Sequence, residues 1–289
     1  MGTVAVVVIS HRFPDQVQRL LHVLSHGTDT FVALHHDPSG EPLRGPLPSN
    51  AARVPSPVRV QWGRWSVVDA VLQSMSFVRD TVPDFTWVLV VSGLDYPIHG
   101  MQAIERDLEN SSVDAYLRYF PIDDPKDDVH PWQATCRRRY LKRRRLPLSG
   151  RTVPLPGERS NPFHGETRLF VGDLWVNLSA LAVNKVLDSP LRPPMERYFR
   201  WASVPDEAFT PTVLLNGPGS VRATADSRRF IRWPATPSRH PLPITPDDLP
   251  ALQTSDAFFA RKIDPVRAGD VCERLDALAR EAEAPRSRG

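Results

Sequence analysis

The sequence predicts an α/β protein with a Rossmann-like, mostly parallel central sheet flanked by helices. Short β-branched runs alternate with amphipathic segments over residues 1–120, and polar residues follow several of the predicted strands. With 289 residues, 41% of them hydrophobic and 24% charged, the chain can bury the core of a soluble globular protein. In sheets of this kind ligands bind beyond the carboxyl ends of the strands, which is where we expect the functional site.

The first 120 residues predict five strands and two long helices. The strands are expected at 3–9, 30–35, 58–62, 86–92 and 113–120, with a loop rich in proline, glycine and serine at 38–57. A helix begins at Pro14 and stops at Gly27, and a second runs from a capping-box pattern at Ser66 to about Val82. Strand ends at 10–11, 36–37, 62–63 and 92–95 would gather polar groups at one edge of the sheet, which suits a nucleotide.

The second half of the chain is less regular. Residues 121–165 are proline-rich and charged, and the run CRRRYLKRRR at 136–145 is either a solvated basic face or an anion- or acceptor-binding segment. Regular structure is expected to return at 166–190, with ordered segments at 169–171 and 173–179 and then a helix to Leu187, and a charged amphipathic helix is expected at about 265–282. We expect one domain, made of a nucleotide-binding half (1–120), an acceptor and catalytic half (121–264) and a C-terminal helix and tail (265–289).

Composition excludes several classes of protein. The formal charge of +3 is too small to predict nucleic-acid binding, and two distant cysteines form neither a disulfide framework nor a zinc site. GxGxxG and P-loop motifs are absent. The low cysteine content favours a reduced, cytoplasmic setting. The apolar start MGTVAVVVIS is too short for a membrane span, and abundant proline, arginine and alanine suggest a bacterial source.

Two adjacent acids stand ahead of an apolar run in WASVPDEAFTPTVLLN. The ordinary interpretation of Asp206 and Glu207 is helix capping, because an acid at a helix start accepts free backbone N–H groups and complements the helix dipole. From these residues alone capping is the favoured interpretation.

Five stretches, taken in order, resemble the core-2/I-branching β-1,6-N-acetylglucosaminyltransferase family, which includes the protein O-xylosyltransferases. They are VVVISHRFPDQVQRLL, LHHDPSG, QWGRWSVVDAVL, SGLDYPI, and VPDEAFTPTVLLN followed by FFARKID. The resemblance spans about residues 4–264 and implies an inverting GT-A-type glycosyltransferase that uses a UDP-sugar and needs no metal or other cofactor. The sequence agrees in one respect, since it contains no Asp-x-Asp, the motif typical of metal-dependent GT-A enzymes.

The resemblance also implies roles for particular residues. Glu207 takes the position of the catalytic base, and Asp206 keeps the capping role. Lys262 and Arg229 would stabilise the departing diphosphate, with Arg228 and Arg232 as competitors for the arginine position. The remaining implied donor contacts are Val8, His11, Asp37, Trp62 and Asp95, and the implied acceptor contacts are Arg137, Arg138, Tyr140 and Trp175.

Ordinary structural roles compete with several of these assignments. Asp37 and Asp95 are also typical turn residues after strands, Lys262 could be a solvated surface lysine, and Trp175 could be a core residue. We expect N-acetylglucosamine as the donated sugar, then xylose or glucose, with glucuronate also open, and a hydroxyl-bearing acceptor with no nucleic-acid partner. A non-catalytic sugar- or nucleotide-binding protein on the same scaffold is the alternative function.

Overall fold

A computed structural model describes residues 2–55, 57–142, 145–148, 151–155, 167–235, 240–266 and 269–283. Its strands are β1 (Thr3–Ser10), β2 (Thr30–His36), β3 (Ala51–Arg53), β4 (Phe85–Ser92), β5 (Asp95–Pro97), β6 (Ala115–Tyr116), β7 (Tyr119–Pro121), β8 (Arg145–Leu148), β9 (Arg151–Pro154), β10 (Phe170–Gly172), β11 (Asn177–Ser179), β12 (Ala223–Thr224), β13 (Arg229–Ile231) and β14 (Phe259–Arg261). Its helices are α1 (Pro14–Leu24), α2 (Trp65–Thr81), α3 (Met101–Glu109), α4 (Pro131–Arg137), α5 (Ala180–Asp188), α6 (Arg192–Phe199), α7 (Phe209–Leu214), α8 (Leu249–Gln253) and α9 (Gly269–Glu283). A π-helical turn, Arg138–Lys142, continues α4, and a 3₁₀ turn, Pro205–Glu207, precedes α7.

Seven strands form the central sheet in the order β12-β6-β11-β4-β1-β2-β3. All of them run in one direction except β11, which is antiparallel to β4 and to β6. This confirms the predicted α/β class with a mostly parallel sheet. The valine-rich β1 lies between β4 and β2, and a run of this kind is typical of a strand buried on both faces.

Helices cover both faces of the sheet. Because side chains alternate along β1, Ala5 and Val7 join a core beneath α2, α5, α6 and α7, while Val4, Val6 and Val8 join a second core beneath α1, α3 and α9. The result is a three-layer arrangement that leaves the carboxyl ends of the parallel strands uncovered by these helices. None of the helices in the described ranges combines the length and hydropathy that crossing a bilayer would require.

Within the described ranges, three smaller sheets lie outside the central one. The order β13-β14-β5 extends the strand-end edge, β7 pairs with β10, and β8 pairs with β9 as a hairpin. The hydroxyl of Tyr96 in β5 donates to Asp276 of α9 at 2.7 Å, and Arg19 of α1 donates to the same carboxylate at 3.0 Å. The C-terminal helix is thereby tied to the strand that begins at Asp95.

Two strand predictions were wrong in detail. The third strand is Ala51–Arg53, which lies inside the predicted loop. The segment 58–62 does not pair with a neighbouring strand, because its backbone N–H groups are bonded to side chains: Val58 N donates to His35 and Val60 N donates to Asp37. The single strand predicted at 113–120 is two, because β6 belongs to the central sheet and β7 pairs with β10. The predicted capping box is absent, since α2 begins after Arg64 without a side-chain cap.

Candidate active site

The ends of β1, β2 and β4 meet at one edge, as the sequence predicts. The backbone N–H of Asp37 donates to Ser10 O at 2.8 Å, and Gly93 N donates to Ile9 O at 3.0 Å. Ser10 Oγ lies 2.9 Å from His36 Nδ1. His11 is exposed beyond this edge, and partial desolvation of its ring together with the charge of Arg12 lowers its pKa.

Val8 does not reach that edge. It is fully buried in the core beneath α1, so its side chain is not accessible for the predicted contact with a nucleotide. Trp62 is 72% exposed and its ring centroid lies 6.4 Å from that of His240, so it projects from a loop rather than packing in the core. Trp65 packs instead, with its ring edge-to-face against Phe209.

Asp37 is buried in a turn that uses both of its carboxylate oxygens. Oδ1 accepts from the N–H and hydroxyl of Ser39, and Oδ2 accepts from Val60 N. Burial acts to raise the pKa of Asp37, but these hydrogen bonds outweigh it and hold the pKa below its usual range. The structure therefore gives Asp37 the turn role, in which it fixes the loop beside the strand ends.

Asp95 is completely buried at the start of β5. Its Oδ2 accepts from Ser92 N at 2.6 Å, from Ser92 Oγ at 2.5 Å and from Arg261 at 2.9 Å, whereas Oδ1 has no hydrogen-bond partner among the described residues. The guanidinium of Arg261 also stacks on the ring of Trp175 at 4.0 Å. Arg261 is thus an internal cation that links the acid to the aromatic residue, and it covers one face of Trp175.

Arg229 is held by neutral groups. Its guanidinium donates to the carbonyls of Ser227, Arg228 and Val90 and to the side chain of Asn177, and burial lowers its pKa to about 10. The two competitors pair with acids, Arg228 with Asp256 at 2.8 Å and Arg232 with Asp248 at 2.8 Å. Of these three arginines, Arg229 alone makes no ion pair to a described carboxylate, so its positive charge is the one left for an anion.

Lys262 follows β14 directly and lies among cations. Its ammonium group makes no hydrogen bond or ion pair to a described residue, and burial lowers the pKa of that group, helped by the charges of Arg261 and Arg12. A cluster of positive side chains without enough acid beside it attracts an anionic ligand. The diphosphate role of Lys262 and Arg229 stays a prediction, and an anion between them would relieve the repulsion among these cations.

Glu207 ends the 3₁₀ turn before α7, and it is partly buried. Its Oε2 accepts from Arg139 Nη1 at 2.6 Å. Burial raises the pKa of Glu207 to about 7, although the charge of Arg139 opposes this rise. Asp206 does not cap the turn: its Oδ1 is buried without a partner among the described residues, and burial raises its pKa to about 6. The capping prediction for Asp206 was wrong because the short turn ends before α7 starts.

Asp173 was not predicted from the sequence. It follows β10, makes no hydrogen bond to a described residue, and burial raises its pKa against the opposing charges of three arginines: Arg118, Arg261 and Arg229. The same carboxylate acts to raise the pKa of Glu207 and of Asp206. Asp173 thus lies within electrostatic range of both Glu207 and Arg229, and the region around these three side chains is the candidate site, called the cleft.

The predicted acceptor residues differ in accessibility. Tyr140 is fully buried, and its hydroxyl donates to Val204 O, so no acceptor reaches it. Arg137 is occupied by Asp128 and by the carbonyls of Ile122 and Asp124. Arg138 is exposed. Residues 143 and 144 of the basic run lie outside the described residues, and no signal in the sequence indicated that Arg139 would contact Glu207.

Comparison with known proteins identifies the family. The family described as "Branch: Core-2/I-Branching enzyme" matches residues 5–253, and the chain belongs to that family. Membership supports assignment of the chain to the glycosyltransferases.

Among curated proteins, the chain is similar to two from Arabidopsis thaliana. It is 32% identical to "Beta-glucuronosyltransferase GlcAT14B" and 34% identical to "Beta-glucuronosyltransferase GlcAT14A", each over 113 residues, or 38% of this chain. These alignments span 25% of the length of either relative. Among solved structures, a 2-C-methyl-D-erythritol 4-phosphate cytidylyltransferase from Thermus thermophilus is 15% identical, with a TM-score of 0.34 over 88% of this chain and 98% of that one. A likeness at that level carries no functional argument.

Proposed function

We propose that this protein is an inverting, metal-independent glycosyltransferase that moves a sugar from a UDP-sugar to an acceptor hydroxyl, with Glu207 as general base. The observation that supports it most is a partly buried glutamate, Glu207, whose pKa burial raises to about 7, together with Asp173, whose charge influences Glu207 and is itself opposed by Arg229. A base and an anion-attracting cluster in one cleft are the two parts that such a transfer needs.

The reaction follows from these parts. The acceptor oxygen attacks the anomeric carbon while Glu207 takes the proton of the hydroxyl group. The bond between that carbon and the diphosphate oxygen breaks on the opposite face, and UDP leaves with the bonding electron pair, so the configuration at the carbon inverts. No second acid is required, because UDP is already a good leaving group. A base whose pKa is near 7 accepts a proton readily at neutral pH.

Arg229 and Lys262 supply the positive charge on the leaving side. Negative charge grows on the diphosphate as the bond breaks, and fixed cations nearby stabilise it without reorganising. The sequence contains no Asp-x-Asp to hold a divalent ion, which also favours side chains in this role. Metal independence is therefore part of the proposal.

The donated sugar is the least constrained element. We propose N-acetylglucosamine first, with xylose and glucose next, and the two curated relatives named as β-glucuronosyltransferases add UDP-glucuronate to the donors to test. The acceptor is a hydroxyl-bearing molecule, such as a small metabolite, a lipid-linked intermediate, a polysaccharide precursor or a peptide. We propose no nucleic-acid partner.

Donor class and metal independence are tested by thermal-shift measurements with nucleotides and UDP-sugars in the presence of EDTA. We expect UDP to stabilise the protein and ADP, GDP and CDP not to do so. If UDP does not change the melting temperature, the donor assignment is contradicted. If EDTA abolishes stabilisation by UDP, the metal independence is contradicted.

Transfer itself is tested by UDP release from UDP-sugars mixed with candidate acceptors. Glu207→Gln should keep UDP binding and lose release by about 100-fold or more. The matched control is Glu196→Gln, which removes a glutamate paired with Arg192 at 2.7 Å outside the cleft and should leave release unchanged. UDP binding without release from any donor would favour a non-catalytic binding protein instead.

A further inference from the structure

The contact between Arg139 and Glu207 goes beyond what the sequence predicted. Arg139 Nη1 donates to Oε2 of Glu207, while Oε1 has no hydrogen bond from a described residue. The two side chains are 21% and 29% exposed, so solvent screens this pair less than it would a surface pair. One oxygen of the carboxylate is therefore fixed by a cation, and the other is left to accept a proton.

Hydrogen bonds fix the backbone around Arg139 and so hold its guanidinium against Glu207. Arg139 lies in the π-helical turn Arg138–Lys142, and π-helical turns often occur at functional sites. The adjacent Tyr140 is held from two sides: its hydroxyl donates to Val204 O, and its carbonyl accepts from the hydroxyl of Tyr198 at 2.8 Å. Tyr140 thus connects the turn that carries Arg139 to the turn that carries Glu207.

The Glu207 side is fixed in the same way. Val204, just before the 3₁₀ turn, has a φ of 55°, a conformation that β-branched residues rarely adopt, and its N–H donates to Gly63 O at 2.9 Å. Such a conformation persists only where the surroundings determine it. The two turns, joined through Tyr140 and Val204, therefore bring a guanidinium onto one carboxylate oxygen.

The other charges that face Glu207 are acidic or neutral. Asp206 on its own turn and Asp173 after β10 both act against its ionisation. Cys136 and Tyr140 are buried, and burial holds the pKa of each above its usual range. From α2, Asp69 is held by Trp65 Nε1, and α7 contributes no charged residue. Among the described neighbours, Arg139 alone favours the ionised base.

We propose that Arg139 is a positioning residue for the reaction: its ion pair favours the ionised form of Glu207 and orients the carboxylate, with Oε1 as the oxygen that takes the acceptor proton. This inference rests on the proposed function for its catalytic consequence, whereas the ion pair itself is independent of any substrate. Removing the guanidinium leaves the carboxylate beside two other acids in a partly buried site. Protonation then competes with its role as a base.

A direct titration tests the pair without requiring activity. The carboxyl carbon of Glu207 is followed by NMR against pH in protein labelled at glutamate carboxyls, and Glu207→Gln assigns the signal. Because a nearby opposite charge shifts a carboxyl pKa by about 1–3 pH units, Arg139→Gln should raise the pKa of Glu207 by that amount. Arg139→Lys should restore most of the difference. An unchanged pKa in Arg139→Gln would overturn the inference even if the enzyme is active.

The pH dependence of UDP release then tests the consequence. With a base of pKa about 7, the same rise lowers the ionised fraction at pH 7 by about 5- to 500-fold, and raising the pH should restore the rate. A structural defect would lower the rate at every pH, which would also overturn the inference. Arg79→Gln is the matched control, because Arg79 pairs with Asp188 at 2.9 Å far from the cleft. Absence of release by the unmodified protein contradicts the proposed function but not the titration result.

Discussion

Replacing Asp95 by asparagine separates two roles that this acid could have, a contact to the donor sugar or a structural anchor. The substitution keeps the size of the side chain but removes its charge. Arg261, only 15% exposed, would then lose the carboxylate that its guanidinium contacts at 2.9 Å, and the new amide would place N–H donors where Oδ1 has no partner among the described residues. Removing one member of a buried ion pair costs about 3–5 kcal/mol, because the remaining charge stays buried and uncompensated.

We therefore expect Asp95→Asn to lower the free energy of unfolding by about 3–5 kcal/mol and the melting temperature by about 6–20 °C. Urea unfolding followed by circular dichroism measures both the stability and its denaturant dependence. The control is Asp188→Asn, whose carboxylate is 63% exposed in a surface pair and should change stability by at most about 1 kcal/mol. A loss below about 1 kcal/mol in Asp95→Asn would refute the buried-pair argument and leave the donor role.

Four further predictions concern the cleft and its supports. Transfer should fall about tenfold per pH unit below pH 7, as a pH–rate profile would reveal, because protonated Glu207 is no base. The pKa of Glu207 is higher in the folded protein than the ordinary value of 4.5, so protonated Glu207 stabilises the fold. This stabilisation is complete below about pH 4.5 and is lost as the pH rises past 7. The difference in unfolding free energy between the parent and Glu207→Gln, measured in urea titrations, should therefore change across that window. Lys262→Met should leave the melting temperature within about 2 °C and weaken UDP binding by about tenfold or more in calorimetry, and unchanged affinity would exclude the lysine from the diphosphate site. Gly172→Ala would put its Cβ 1.8 Å from the carbonyl oxygen of Arg118, so it should destabilise the protein by about 2 kcal/mol or more, and a neutral result would show that β7 and β10 can separate freely.

The central sheet was predictable from local pattern. Runs such as TVAVVVIS and FTWVLVVS are buried on both faces, so their composition alone identifies them as interior parallel strands. The rule that ligands bind beyond such strand ends then predicts, from sequence alone, the edge that carries His11, Asp37 and Asp95. The strand predicted at 58–62 was wrong, because side chains from elsewhere in the fold bond to the N–H groups of that segment. Its own sequence does not show which side chains will reach it.

The cleft was only partly predictable, because its chemistry depends on contacts between distant residues. Glu207 and Lys262 were proposed as site residues by family resemblance, but nothing in the basic run distinguishes Arg139, which contacts Glu207, from its neighbours Arg137 and Arg138. A turn of π-helix determines which of these arginines faces the cleft, and that geometry has no simple sequence signature. Asp173 was missed because a lone aspartate after a short strand looks like a turn residue.

The bond from Tyr96 to Asp276 has a consequence for the order in which the protein is completed. Chains are synthesised from the N-terminus, and the acceptor for the Tyr96 hydroxyl is 180 positions downstream. The Asp95 turn therefore emerges from the ribosome well before the helix that braces it. During that interval β5 lacks the hydrogen bond that Tyr96 donates to Asp276, so this part of the fold reaches its full stability only after α9 docks.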